Sequence, residues 1–248
     1  MNTLSKEYIR ILSSINGEVF DLKNDKYSGV FLPVPFDEYW TSDLKIMLVG
    51  RETAGWNSQT NKNTMARVLG YKPEISIEQV VDEAMTRYKQ HLTYNDGRKI
   101  KCTSRSRFKQ YYFRLARELN IAPQSLIYSN LFAWDYNQKT PLHRPQIELD
   151  EVISISLQLL ATQITLFKPD YVIFASGIVC TDRIIKRLFN QYLGGYKTSA
   201  PVISGKLWEF KGSNATCFRI AHPRAMRGHQ DYRTEVIHRI LQKEQLKN

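Results

Sequence analysis

Glu52, Asn130, Ser176 and His222 are polar residues that each come just after a short apolar run. A carboxylate can orient water and stabilise a cationic sugar. An amide presents one donor group and one acceptor, which suits reading the edge of a base. An imidazole can stabilise negative charge on a leaving group. Side chains of these types predict acid–base or electrostatic catalysis if they meet in one crevice.

Other chemistries lack their motifs in this chain. Gly-x-Ser-x-Gly, a glycine-rich loop ending in Lys-Ser or Lys-Thr, His-x-x-x-His and a paired aspartate cluster are all absent from the sequence. The three cysteines, Cys102, Cys180 and Cys217, form no Cys-x-x-Cys pair, so we expect no disulfide framework, zinc knuckle or iron–sulfur site. Cys180 and Cys217 are expected to pack as small hydrophobic residues. We therefore expect neither a metal nor a cofactor.

The apolar runs at 44–49, 126–129, 171–175 and 216–221 are typical of buried strands. Segments with helical spacing separate them, and 202–210 is expected to form an edge strand or hairpin. The alternation predicts an α/β fold of three α/β/α layers, with a mostly parallel sheet of four to five strands. Ligands bind at the carboxyl ends of such strands, where the polar residues would meet.

The chain has 35 Lys and Arg against 24 Asp and Glu, a net charge of +11. This excess favours a polyanionic partner, nucleic acid before an acidic membrane. Many cations lie in a polar insertion at about 57–107, where Tyr88, His91 and Tyr94 would stack on bases or, alternatively, face solvent. No apolar run reaches 18 residues and the first ten lack a signal sequence, so we expect a cytoplasmic monomer without a membrane span.

Four segments together resemble the uracil-DNA glycosylase superfamily: GRETAG at 50–55, LIYSN at 126–130, the strand at 171–177, and HPRAMRG at 222–228. They occur in the order of the family's motifs and span about residues 44–240. The resemblance implies one uracil-DNA glycosylase-like domain over 1–248 that carries the basic insertion. It also implies a monofunctional DNA glycosylase, which must extrude its target nucleotide to reach the glycosidic bond.

Roles carried over by this resemblance fall on matching positions. Glu52 would activate water, Asn130 would hydrogen-bond the flipped base, and His222 would support the leaving base. Met226 would be the wedge that fills the gap in the duplex. Further DNA contacts are expected from basic and hydroxyl residues: Arg224, Arg227, Ser176, Arg105 and Arg107.

One departure from the family concerns the pocket itself. The familiar first motif reads Asp-Pro-Tyr, and its tyrosine keeps thymine out; here the run is Glu52-Thr53-Ala54. Ala54 removes that wall, so we expect a pyrimidine that carries a C5 substituent. A hypermodified cytosine of viral DNA would be such a base, and the enzyme would then serve in host defence.

The other expected base contacts are Gly50, Arg51 and one aromatic ring. Arg51 stands where the family has Gln or Glu, and would hold a phosphate or a polar substituent. Trp56 or Phe132 would stack on the base, and the sequence leaves that choice open.

Two further functions remain compatible with these residues. A non-catalytic DNA-binding protein of the same fold would explain the divergent first motif. A small-molecule enzyme, such as a nucleoside hydrolase, would use the same strand ends, although the net charge of +11 argues against it. Glu52, Asn130, His222 and Met226 also have structural alternatives, as a helix-terminus acceptor, a turn former and two packing residues.

Overall fold

The computed structural model describes residues 3–56, 64–71, 75–94, 99–178, 180–226 and 228–246. Within these ranges the strands are β1 (Ile46–Gly50), β2 (Thr93–Tyr94), β3 (Lys99–Ile100), β4 (Leu126–Asn130), β5 (Tyr171–Phe174), β6 (Lys197–Thr198), β7 (Leu207–Gly212) and β8 (Ala215–Ile220). The helices are α1 (Thr3–Leu12), α2 (Asp37–Thr41), α3 (Met65–Val68), α4 (Ile77–Leu92), α5 (Arg107–Glu118), α6 (Gln146–Phe167), α7 (Thr181–Tyr192) and α8 (His229–Gln245).

One sheet organises the described residues, with strand order β4-β1-β5-β8-β7-β6. The first four strands run parallel, and Gly50 pairs with Asn130 at the ends of β1 and β4. All residues of β1, β4 and β5 are buried, as expected for strands with helices on both faces. The predicted α/β class and mostly parallel sheet are confirmed. Because these four strands are parallel, the polar residues at their carboxyl ends lie along one edge of the sheet.

The antiparallel side of the sheet differs from the prediction in detail. β7 begins at Leu207 rather than at residue 202, and β6 pairs with it as a two-residue edge strand. This short strand brings the sheet to six strands instead of four or five. β7 and β8 are joined by a turn in which Ser213 and Asn214 have positive φ angles.

The basic segment at 57–107 is not only a solvated insertion. Its helix α4 packs against α1, and its buried face includes Val80, Ala84 and Tyr88. Tyr88 accepts a hydrogen bond from the Tyr128 backbone N–H at 3.1 Å, so its ring belongs to the core rather than to a base-stacking surface. Tyr94 is exposed.

Two smaller expectations meet the structure here. Cys217 is buried, but Cys180 is exposed at the start of α7, so packing as a small hydrophobic residue was wrong for Cys180. Among the described residues, no helix combines the length and the apolar character needed to cross a membrane.

Candidate functional site

A cleft of about 700 Å³ opens at the carboxyl ends of the parallel strands. The predicted residues that line it are Gly50, Arg51, Glu52, Ala54, Trp56, Asn130, His222 and Arg224. They come from three distant parts of the chain, which follow β1, β4 and β8. These strands run parallel in the order β4-β1-β5-β8, so the sheet brings the three parts to one edge. The sheet therefore gathers the carboxylate, amide and imidazole in one cavity.

Gly50 and Asn130 are register partners at the ends of β1 and β4. A β-carbon at Gly50 would overlap the Asn130 side-chain oxygen and stand 3.1 Å from the Phe108 ring. Glycine is thus required by this close approach, and Asn130 is held directly over the end of β1. Its side chain is nearly buried at the cleft wall.

Glu52 is mostly buried and forms a bidentate ion pair with its neighbour. The Arg51 guanidinium donates from Nε at 2.6 Å and from Nη2 at 2.9 Å, one bond to each carboxylate oxygen. The pairing raises the pKa of Arg51. Each carboxylate oxygen retains a second lone pair, which leaves Glu52 able to accept a hydrogen bond from water or substrate.

His222 has a defined tautomer. The Arg224 backbone N–H donates to its Nδ1 at 3.1 Å, so in the neutral ring the proton lies on Nε2. Burial, together with the charges of Arg224, Arg51 and Arg233, lowers the pKa of His222 to about 4. At neutral pH the ring is therefore an uncharged donor that lines the cleft.

The turn at 53–56 is controlled by Asp135, a residue not predicted to matter. Its buried carboxylate accepts hydrogen bonds from Thr53 Oγ1 at 2.5 Å and from the Gly55 N–H at 2.8 Å. These hydrogen bonds fix a turn in which Ala54 is exposed to the cleft and the Trp56 side chain forms part of the cleft wall. Asp135 is a positioning residue for this wall.

Aromatic rings form much of the cleft wall. Trp56 meets Phe31 with ring centroids 4.8 Å apart and His91 at 4.9 Å, and Tyr128 meets Phe31 at 5.3 Å. Of these rings, Trp56 and His91 were predicted to stack on bases, whereas Phe31 and Tyr128 were not. Phe31 lies in an extended segment before α2, and its backbone N–H donates to the Ala133 carbonyl.

The same cavity is rich in cations and neutral imidazole. Arg87 and Lys109 line it from α4 and α5. Burial lowers the pKa of Lys109 to about 8, with help from Lys101 and Arg87. Burial and the nearby charges of Lys109, Arg87 and Lys101 lower the pKa of His91 to about 3. A loop after β4 adds Gln138, Lys139, Thr140 and His143 to the lining.

Several predicted contacts lie outside the cleft. Phe132 is fully buried in the core and does not line the cavity, so it does not stack on a base there. Ser176 is also fully buried, and its hydroxyl is not presented to a DNA backbone. Met226 is 60% exposed, and Arg105 and Arg107 are exposed near the cleft residue Ser106. Arg227 lies outside the described residues.

Within the described ranges, no group of three His, Cys, Asp or Glu side chains could hold a metal ion. A scan against protein-family models found no family that matches the chain. A search of curated protein sequences gave no match either.

Proposed function

We propose that the protein is a DNA glycosylase with a uracil-DNA glycosylase-like fold. It extrudes a nucleotide, hydrolyses the bond between base and sugar, and leaves an abasic site. The observation that carries the proposal is the convergence of Glu52, Asn130 and a neutral His222 in one cleft at the ends of parallel strands.

In this proposal each residue has one task. Glu52 orients the water that attacks C1′, takes up the proton that this water loses, and stabilises the positive charge that develops on the sugar. That proton then passes to the released base, which leaves as an anion. As the bond between C1′ and the base nitrogen breaks, the electron pair moves onto the base and its carbonyl oxygen. The His222 Nε2–H donates to that oxygen, which a neutral imidazole can do without losing its proton. Asn130 binds the base edge.

The proposed substrate is a pyrimidine with a C5 substituent, such as hypermodified cytosine in viral DNA. Ala54 supports this because a methyl group stands where a tyrosine would close the pocket, and the cleft volume of about 700 Å³ leaves room beyond a base. Excision of such a base would make the enzyme a defence against viral DNA.

DNA is the proposed partner. The net charge of +11 supports it, as do the exposed Arg105 and Arg107 beside the cleft. Met226, exposed at the end of the His222 loop, suits a wedge that replaces the extruded base in the stack. Arg224 lines the cleft and would contact a flanking phosphate.

The test is a base-release assay on labelled DNA that carries uracil, thymine, hydroxymethylcytosine or glucosylated hydroxymethylcytosine. The wild-type protein should release one C5-substituted base and leave an alkali-sensitive site. Glu52→Gln and His222→Ala should each lower the rate by at least about a hundredfold. Glu7→Gln, which alters a surface ion pair with Arg10 on α1, is the matched control.

One observation favours a second candidate, a non-catalytic DNA-binding protein. Both carboxylate oxygens of Glu52 already accept hydrogen bonds from Arg51, and the guanidinium charge opposes stabilisation of a sugar cation. Salt-dependent DNA binding without release of any base would support this candidate and refute the glycosylase.

A further inference from the structure

Two buried polar atoms of cleft-lining residues have no partner among the described residues. They are the indole Nε1–H of Trp56 and the hydroxyl of Tyr128. Trp56 is 7% exposed and Tyr128 is 5% exposed, and both line the cavity. A buried polar group without a hydrogen bond destabilises the folded protein, so two in one cavity indicate a ligand that supplies the missing partners.

Two cations, Arg87 and Lys109, line the same cleft, and a third, Lys101, is bonded to the neighbouring His91 backbone. The Arg87 guanidinium lies over the Trp56 ring, with 5.6 Å between its central carbon and the ring centroid, and it lines the same cleft as Tyr128. Lys109 lines the cleft, and the Lys101 ammonium donates to the His91 carbonyl at 2.9 Å. In the described part of the chain, no carboxylate forms an ion pair with Arg87, Lys101 or Lys109.

The character of the ligand follows from this inventory of donors. Trp56, Arg87 and Lys109 can only donate hydrogen bonds, and the Tyr128 hydroxyl can donate as well. A neutral ligand would satisfy the indole and the hydroxyl but would leave the cations uncompensated. An oxyanion with several acceptor oxygens satisfies both requirements, and phosphate is the oxyanion that a nucleic acid carries.

We propose that Trp56, Tyr128, Arg87 and Lys109 form a subsite that binds a phosphate group of the substrate. The proposal rests on the proposed function only in taking DNA as the carrier. The phosphate is a backbone linkage beside the extruded nucleotide or a group attached to its base. These two sources share the recognition chemistry, and the experiment separates them.

The first experiment measures binding to the full chain by tryptophan fluorescence. 2′-Deoxycytidine 5′-monophosphate should bind more tightly than 2′-deoxycytidine, and inorganic phosphate should compete with it. Tyr128→Phe, Arg87→Gln and Lys109→Gln should each weaken the monophosphate roughly tenfold, since each removes a hydrogen bond to a charged group. Equal affinity of wild type and these variants for the monophosphate would overturn the subsite.

Two controls separate binding from folding. Lys186 lies over the Trp208 ring, 5.8 Å from its centroid, much as Arg87 lies over Trp56, but neither residue lines the cleft. Lys186→Gln should therefore leave the affinity for the monophosphate unchanged. Tyr128→Phe should not lower the melting temperature, because the hydroxyl it removes has no partner among the described residues. If a cleft variant keeps the wild-type melting temperature but binds the monophosphate more weakly, the weaker binding reflects the subsite and not a loss of folding.

A second experiment assigns the source of the phosphate. Oligonucleotides that carry one neutral methylphosphonate at successive positions should bind more weakly at one position, and Tyr128→Phe should abolish that difference. This result would place a backbone phosphate in the subsite. If no position matters while inorganic phosphate still competes, the phosphate is attached to the base. Base release is scored separately, so the glycosylase can fail while the subsite stands.

Discussion

Acid should destabilise this protein through the two neutral imidazoles of the cleft. The pKa is about 3 for folded His91 and about 4 for folded His222, because both rings are buried near cations. An unfolded histidine titrates near 6.5. The unfolded chain therefore binds more protons as the pH falls below about 6.5, and stability is lost over that window down to the folded pKa values.

The size of the effect follows from these values. Between pH 8 and pH 5, an imidazole that titrates near 6.5 when unfolded and below 5 when folded contributes a loss of about 2 kcal/mol. Partial contact with solvent reduces this to about 1 kcal/mol for each ring. Between pH 8 and pH 5, the free energy of unfolding should fall by about 1 kcal/mol less in His91→Gln or His222→Gln than in wild type. In the double variant it should fall by about 2 kcal/mol less.

Urea denaturation at pH 8 and pH 5 measures these losses as differences within each variant, so any change in stability at pH 8 cancels. His238→Gln, on the exposed face of α8, should keep the wild-type dependence on pH. An equal loss of stability in the double variant and in wild type between the two pH values would contradict this prediction, since the rings would then titrate alike in the folded and unfolded states.

The remaining predictions concern the two walls of the cleft and its rim. Gly50→Ala should cost about 1–3 kcal/mol in chemical denaturation, because the added carbon overlaps the Asn130 oxygen. Asp135→Asn should lower the free energy of unfolding by about 2 kcal/mol and weaken DNA binding. The NH2 of the new amide would replace one carboxylate oxygen, and this donor would then face the N–H donor of Gly55 or of Gln138. Met226→Ala should leave the melting temperature unchanged and slow base release from duplex DNA more than from single strands; equal slowing on both would contradict a wedge.

The parallel part of the sheet was predictable because its central strands β1 and β5 are apolar along their whole length. A run such as 171–174 can be buried on both faces only between two layers of helices, and the alternation of elements then requires parallel strands. The rule that ligands bind at the carboxyl ends then brings Glu52, Asn130 and His222 together. Their meeting in one cleft needed no information beyond the order of the elements.

The role of α4 was missed although its signals are present in the sequence. Ser76 and Gln79 form a capping box at its start, and Val80, Ala84 and Tyr88 recur at intervals of four residues on its buried face. The surrounding charges dominate the composition and indicate a solvated segment. A helix needs only one apolar stripe to join a core, so composition was the weaker guide.

The choice between Trp56 and Phe132 as the cleft aromatic could not be made from local sequence, because long-range bonds decide it. The Phe132 N–H donates to the Arg51 carbonyl at 2.8 Å, which continues the pairing of β4 with β1 and keeps the Phe132 ring in the core. The chain after Arg51 instead leaves the sheet, because Asp135 binds the Gly55 N–H across a separation of 80 residues. That bond turns Trp56 into the cleft wall, where its buried indole N–H has no partner among the described residues. The residue that selects the aromatic wall is thus a buried aspartate in the loop after β4. Only the folded chain brings Asp135 and the turn at 53–56 together.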